Sequence, residues 1–231
     1  MANSSKLSEI NQGRIKLTKE AEVLQEQVGI VINMIRDELP FMFPNVEFNY
    51  KKEIYKNELG KIIKAYNSSC GQYIANSDSN ISPDGGFLFA KINNKNKLIL
   101  TVESKKQGTP ASEYGPKGNA IERSFKNYNE IAVIQMYEKI FPYVLFVSGS
   151  DFKDGSSIRD RLTSMNLMRP FNKIDLKKIK IKGSCSLYSC PSIFVQPEPF
   201  VIKEIFNICI EVCKKSIRYY LDYDEKKARI T

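Results

Sequence analysis

The chain contains no histidine. That absence removes Ser-His-Asp triads, Cys-His pairs, His general bases and His-ligated zinc. Any hydrolysis has to run on carboxylates, Lys, Tyr or Cys, helped by a hard metal ion. Long apolar runs are absent too: none reaches the ~18 residues needed to cross a bilayer. The opening residues, Met1-Ala2-Asn3-Ser4-Ser5-Lys6, lack the apolar stretch of a secretory signal. A cytoplasmic protein with no membrane contact is the expectation. Cysteine is sparse and odd in number: Cys70, Cys185, Cys190, Cys209 and Cys213. No disulfide framework is expected. The Cys185/Cys190 and Cys209/Cys213 spacings leave a four-thiolate zinc site open, beside the plainer reading of reduced, buried thiols.

What is present bounds the rest. With 231 residues, 42% of them apolar, one domain over 1–231 with one core is expected, its first 14 or so residues polar and flexible. The net charge of +9 and pI near 9.2 suit a polyanionic partner, because Lys and Arg displace the counterions condensed on nucleic acid.

Periodicity predicts an amphipathic helix over residues 15–39, stopped by Pro40 and Pro44. A second helix is predicted over 50–66, followed by turns at 67–71 and 77–80. Residues 86–91 and 97–105 read as a hairpin turning at 93–96. A polar loop over 107–118 leads to a helix over 119–140, which Phe141-Pro142 ends, and to a buried strand over 143–148. Strand, crossover helix and strand make a βαβ unit, which places functional groups at the carboxyl end of its first strand. A final helix is predicted over 198–221.

Two constellations carry chemistry. In the first, Pro83-Asp84-Gly85-Gly86 precedes the hairpin and Glu103-Ser104-Lys105 closes it. Pairing of the two strands would bring Asp84 and Glu103 together as a carboxylate pair for Mg²⁺, with the Ser104 carbonyl as a further ligand. Glu103 and Lys105 share a face of the strand, which sets the ammonium beside the metal and the attacking water. Each fragment alone is ordinary turn or surface chemistry; the ordered combination is what points to phosphodiester hydrolysis. In the second, Gly118-Asn119-Ala120-Ile121-Glu122-Arg123-Ser124 opens the crossover helix. Asn suits the N6/N7 edge of adenine, Arg suits purine N7, and Ala120 leaves room for a thymine methyl. The same residues also read as a plain helix entry, with Asn119 as cap and Glu122 three positions later. Further on, Lys173, Lys177, Lys178, Lys180 and Lys182 form a basic run opposed by Asp175 alone; it suits phosphate contacts or a solvated face.

Gly118-Asn119-Ala120-Ile121-Glu122-Arg123-Ser124 with Lys126-Asn127 resembles the recognition motif of the EcoRI-like type II restriction endonucleases. Ile81-Ser82-Pro83-Asp84-Gly85-Gly86 and Glu103-Ser104-Lys105 resemble the family's metal-site segments in the same order. Phe141-Pro142-Tyr143-Val144-Leu145-Phe146 with Gly149-Ser150 resembles its central strand, and Arg159-Asp160-Arg161-Leu162-Thr163 a further DNA-contacting segment. The resemblance covers roughly residues 80–170. It implies an α/β fold of the PD…ExK kind, with a mixed five-stranded sheet flanked by helices. It implies a homodimer on double-stranded DNA, hydrolysis leaving 5′-phosphate ends, and a cognate DNA methyltransferase that protects the host. Asp84 and Glu103 would hold Mg²⁺, and Lys105 would position or activate water. Asn119, Ala120, Glu122 and Arg123 would read an inner AATT, with Lys117, Lys126 and Arg161 completing the DNA-binding set. The family prototype has Met-Ala-Ala before its Gly-Asn, where this chain has Gly115-Pro116-Lys117. GAATTC, CAATTG, RAATTY and bare AATT therefore all stay open. So do two other readings of the same residues: a DNA-binding protein without cleavage, and a structure-specific repair nuclease.

Overall fold

The computed structural model describes residues 2–58, 80–108, 119–135, 138–165, 169–180 and 187–228. Its strands are β1 (Glu47–Lys51), β2 (Ile54–Tyr55), β3 (Asn80–Ile81), β4 (Phe87–Ile92), β5 (Lys95–Lys106), β6 (Tyr143–Ser148), β7 (Lys178–Lys180), β8 (Leu187–Ser189) and β9 (Ser192–Gln196). Its helices are α1 (Ala2–Met42), α2 (Asn119–Ile134), α3 (Ser157–Met165) and α4 (Ile202–Ala228). Strands β1, β4, β5, β6 and β9 form one five-stranded sheet in that order. Pairing is antiparallel from β1 to β5 and parallel from β5 to β9, so the sheet is mixed as expected.

Two apolar clusters cover the sheet. Leu24, Val28, Val31, Ile35 and Leu39 of α1 pack with Ile205, Cys209, Val212, Cys213 and Ile217 of α4 against Leu100, Val102, Val144 and Phe146. The spacing of four, three, four and four residues along α1 is the stripe that one helix face presents to a core. On the other face, Ile121, Tyr128 and Ile131 of α2 join Ile158, Leu162 and Met165 of α3 over Tyr143, Leu145 and Val147. The all-buried run of β6 follows from its central place between two parallel neighbours and two helical layers.

The β5–α2–β6 unit forms as predicted, with Thr101 beside Tyr143 and Ser104 beside Phe146. The hairpin turn is tighter than predicted. Only Asn93 and Asn94 lie outside the strands, both with positive φ (50° and 60°), the pair of left-handed residues that a two-residue turn requires. Cys190, Cys209 and Cys213 are buried free thiols, and burial pushes the Cys213 thiol well up. Cys70 and Cys185, the turn at 67–71, most of the 107–118 loop and Lys182 lie outside the described residues. Among the described residues no helix is long and apolar enough to cross a membrane.

Several boundaries differ from expectation. Helix α1 runs from Ala2 through Pro40 to Met42 rather than over 15–39. Proline keeps a helical φ, and Phe43 N–H still closes the last turn on the Leu39 carbonyl at 2.9 Å. The helix predicted over 50–66 is a strand at its start, is helical at 56–58, and lies outside the described residues from 59 on. Phe48 and Tyr50 are half-buried while Glu47, Asn49 and Lys51 are exposed, a period-two pattern stabilised by pairing with β4. Helix α2 stops at Ile134 instead of 140. Ile140 is drawn into a bridge with Lys177 and Phe141 N–H bonds the Leu176 carbonyl, so strand pairing takes over from the helix. Helix α4 starts at Ile202, after Pro197 and Pro199, where the Glu204 carboxylate accepts the Val201 N–H at 3.1 Å.

Candidate active site

Strand β5 outruns β4. Their pairing begins at Phe87 and Thr101, whereas β5 stays paired to β6 as far as Lys106. Residues 102–106 therefore have a free edge, and the Pro83-Asp84-Gly85-Gly86 turn folds over it. Gly86 N–H closes that turn on the Pro83 carbonyl, and Gly85 N–H bonds the Val102 carbonyl, both at 2.9 Å. Both glycines are needed by close approach. A Cβ on Gly85 would lie 2.8 Å from the Val102 Cβ. Gly86 has a φ of 63°, and a Cβ there would lie 2.7 Å from the Lys51 carbonyl oxygen. Thr101 Oγ1 donates to the Gly86 carbonyl at 2.9 Å and ties the turn to the sheet.

Asp84 thereby stands where a next residue of β4 would pair. Its Oδ2 accepts the Ser104 N–H and the Ser104 hydroxyl, each at 2.8 Å, so the carboxylate satisfies the open edge of β5. Its Oδ1 accepts Gln25 Nε2 from α1 at 2.9 Å. Glu103 projects from the opposite face and is 2% exposed. Its Oε1 accepts Asn127 Nδ2 from α2 at 3.1 Å and is ion-paired with Lys105. Its Oε2 is buried and has no hydrogen-bond partner among the described residues. Burial raises the Glu103 carboxyl above the usual carboxylate range; the Lys105 ammonium works against that, and the Asp84 charge adds to it.

Lys105 Nζ joins the parts. It pairs with Glu103 Oε1, donates to the Ser104 carbonyl at 2.9 Å and lies 3.5 Å from Asp84 Oδ2. Three hard oxygen acceptors, one from the turn and two from β5, thus converge on one cationic head. Among the described residues no three His, Cys, Asp or Glu side chains gather in one place. The donor set is two carboxylates and one backbone carbonyl, with Glu103 Oε2 as a further buried acceptor. This set fits a hard divalent cation that keeps water and substrate oxygens as its remaining ligands. It does not fit a thiolate or imidazole metal.

Sequence reasoning missed Gln25 and Tyr143 here and gave Asn127, quoted with the recognition motif, no role at the carboxylates. Gln25 stands 59 positions from Asp84 and gave no local signal. Asn127 lies one turn beyond Arg123 on the same helix, a spacing that was available. The Tyr143 hydroxyl is buried beneath the site with no partner among the described residues. Burial, then the charges of Glu103 and Asp84, push its phenol well above the ordinary value. In the sequence it passes for one more apolar strand residue.

The candidate reading residues gather at the start of α2. Glu122, Arg123 and Lys126 are exposed, and the Arg161 guanidinium of α3 lies 3.7 Å from Glu122 Oε1 within the same chain. So exposed a pair adds little stability, but it sets the α3 arginine beside the α2 entry. Lys173 and Lys177 are exposed. Lys117 and the side chains of Asn119, Ala120, Lys178 and Lys180 lie outside the described residues.

The sequence model of the family described as "Restriction endonuclease EcoRI" matches residues 11–159. The type II restriction enzyme RsrI of Cereibacter sphaeroides is 25% identical over 240 aligned positions, covering 88% of this chain and 85% of RsrI. The type II restriction enzyme EcoRI of Escherichia coli is 29% identical over 230 positions, covering 83% of each.

Proposed function

This chain belongs to the EcoRI restriction endonuclease family and is a type II site-specific deoxyribonuclease, and from that we propose that it uses Mg²⁺ to cut duplex DNA at a palindrome centred on AATT, leaving 5′-phosphate ends. The observation that carries the reading is the convergence of Asp84, the Ser104 carbonyl, Glu103 and Lys105 at the open edge of β5, beside the helix that begins with Asn119-Ala120-Ile121-Glu122-Arg123.

In this reading Asp84, Glu103 and the Ser104 carbonyl hold Mg²⁺, which when bound neutralises charge on the scissile phosphate and activates water. Ser104 and Gln25 fix the Asp84 carboxylate through both oxygens. Lys105 orients the attacking water or a phosphate oxygen; the water oxygen bonds to phosphorus, the bond from phosphorus to the 3′-oxygen breaks, and the 3′-oxygen leaves as a hydroxyl with a proton taken from solvent. Asn119 and Arg123 engage the adenines, Ala120 meets a thymine methyl, and Glu122 orients an arginine across the dimer. Lys117 and Lys126 contact phosphates, as do the lysines of the 173–182 run. The chain acts as one domain and as a homodimer, since a two-fold site suits two copies of one helix. A host would protect its own sites with a cognate methyltransferase. The outer base pair stays open among GAATTC, CAATTG, RAATTY and bare AATT.

The test is digestion of a fully sequenced phage DNA with Mg²⁺ and sequencing of the fragment ends. A common AATT-centred end supports the reading, and its flanks define the outer pair. Scattered ends would move the chain toward a structure-specific nuclease. No cutting with AATT binding retained would make it a binder alone. A second expectation concerns Arg123→Ala. One lost base contact is worth about 1–3 kcal/mol, so affinity for an AATT duplex drops by about five- to 150-fold relative to a scrambled duplex. Fluorescence anisotropy measures the ratio, and an unchanged ratio removes Arg123 from base reading.

A further inference from the structure

We propose that Asn127 is a positioning residue for the cleavage centre, its amide holding the Glu103 carboxylate so that Oε2 faces the bound cation. The proposal rests on the functional reading above and adds a residue to it.

Glu103 is 2% exposed, so its carboxylate takes its orientation from the protein and not from water. Two donors hold Oε1: Lys105 Nζ and Asn127 Nδ2, the latter at 3.1 Å. They differ in kind. Lys105 is a long, flexible side chain shared with the Ser104 carbonyl and Asp84, and the proposed reaction turns it toward water and phosphate. Asn127 is short and sits on a helix seated by Ile121, Tyr128 and Ile131, all buried. When the ammonium leaves Oε1, the amide is the donor that remains. Being neutral, it fixes the carboxylate without competing with a cation for the site. Oε2 has no hydrogen-bond partner among the described residues, and it is the oxygen left to meet the cation.

The placement has a second consequence. Asn127 lies four residues after Arg123, so both stand on one side of α2. The helix that seats on the base edges is therefore the helix that holds the metal carboxylate. Poor seating of α2 on a wrong sequence would loosen Glu103 through the same hydrogen bond.

Partners behind a metal ligand are typically worth about 10–100-fold in metal affinity or activity. For Asn127→Ala, the Mg²⁺ concentration giving half-maximal cleavage of an AATT duplex should rise about tenfold or more. Affinity for the same duplex without metal, read by anisotropy, should stay within about threefold, because the amide touches no DNA in this reading. An unchanged Mg²⁺ requirement overturns the proposal while wild-type cutting leaves the functional reading standing. A metal-free affinity that falls as far as the cleavage rate also overturns it, since that marks a general packing role. If Asn127→Ala fails to fold, Asn127→Leu keeps the volume, removes the donor and carries the same expectation. A wild type that never cuts AATT DNA in Mg²⁺ sinks both readings together.

Discussion

Asp84→Ala should lower the cleavage rate by about a thousandfold or more, because a metal-held phosphodiester centre draws several kcal/mol from its carboxylates. The variant should still bind an AATT duplex in the absence of metal. The geometry gives the reason for both halves. Asp84 Oδ2 lies 3.5 Å from Lys105 and accepts two donors from Ser104, so the carboxylate is the link between the turn and the end of β5. Its removal deletes one charge of the pair that would hold the cation. It also takes a negative charge away from the path of a polyanion, so metal-free binding stays level or tightens. Asp84→Asn serves as the folding control, since an amide oxygen still accepts from Ser104. Single-turnover cleavage with Mg²⁺, beside anisotropy without it, makes the measurement. A rate within tenfold of wild type would sink the assignment of Asp84 to the centre.

Phe146→Ala should destabilise the fold by about 3–5 kcal/mol, the usual range for emptying an aromatic core position. Phe146 is fully buried in β6, between β5 and β9. Its ring stacks on Phe194 at 5.7 Å between centroids and meets Phe200 edge-on at 5.1 Å. Those two rings come from β9 and from the approach to α4, so the site is walled by packed rings on two sides and has little freedom to collapse. The cost should fall on stability more than on chemistry, because Phe146 faces α1 and α4, on the far side of the sheet from Glu103. Urea unfolding checks it: a loss below about 1 kcal/mol would mean that the wall relaxes into the space.

Much of the candidate site was legible because it is local. Asp84, Glu103 and Lys105 sit on a hairpin, and a hairpin's register follows from its turn and from the alternation of its strands. The βαβ unit was legible for the same reason. Strand β6 is a short apolar run, and α2 shows a clean helical period with a capping pattern at its start. The failures were of another kind. Residues 47–51 alternate plainly, yet the strand exists only because β4, some forty positions later, offers an edge. The end of α2 was misplaced because Lys177 and Leu176 claim Ile140 and Phe141 for strand-like pairing.

By itself, then, the sequence determined which residues could carry the chemistry: with no histidine, a carboxylate pair beside a lysine, and an Asn-Ala-Ile-Glu-Arg helix entry, it was the resemblance of these segments to the EcoRI-like endonucleases that pointed to a nuclease. The tertiary structure decided what holds that chemistry in place. Gln25 from α1 and Asn127 from α2 reach the two carboxylates from opposite sides of the sheet, and Glu122 meets Arg161 across two helices. The division has a physical cause. Turn and strand periodicity act over a few residues and are written locally. A hydrogen bond between helices packed on different faces of a sheet depends on how the whole core closes, and no short window of sequence contains both partners.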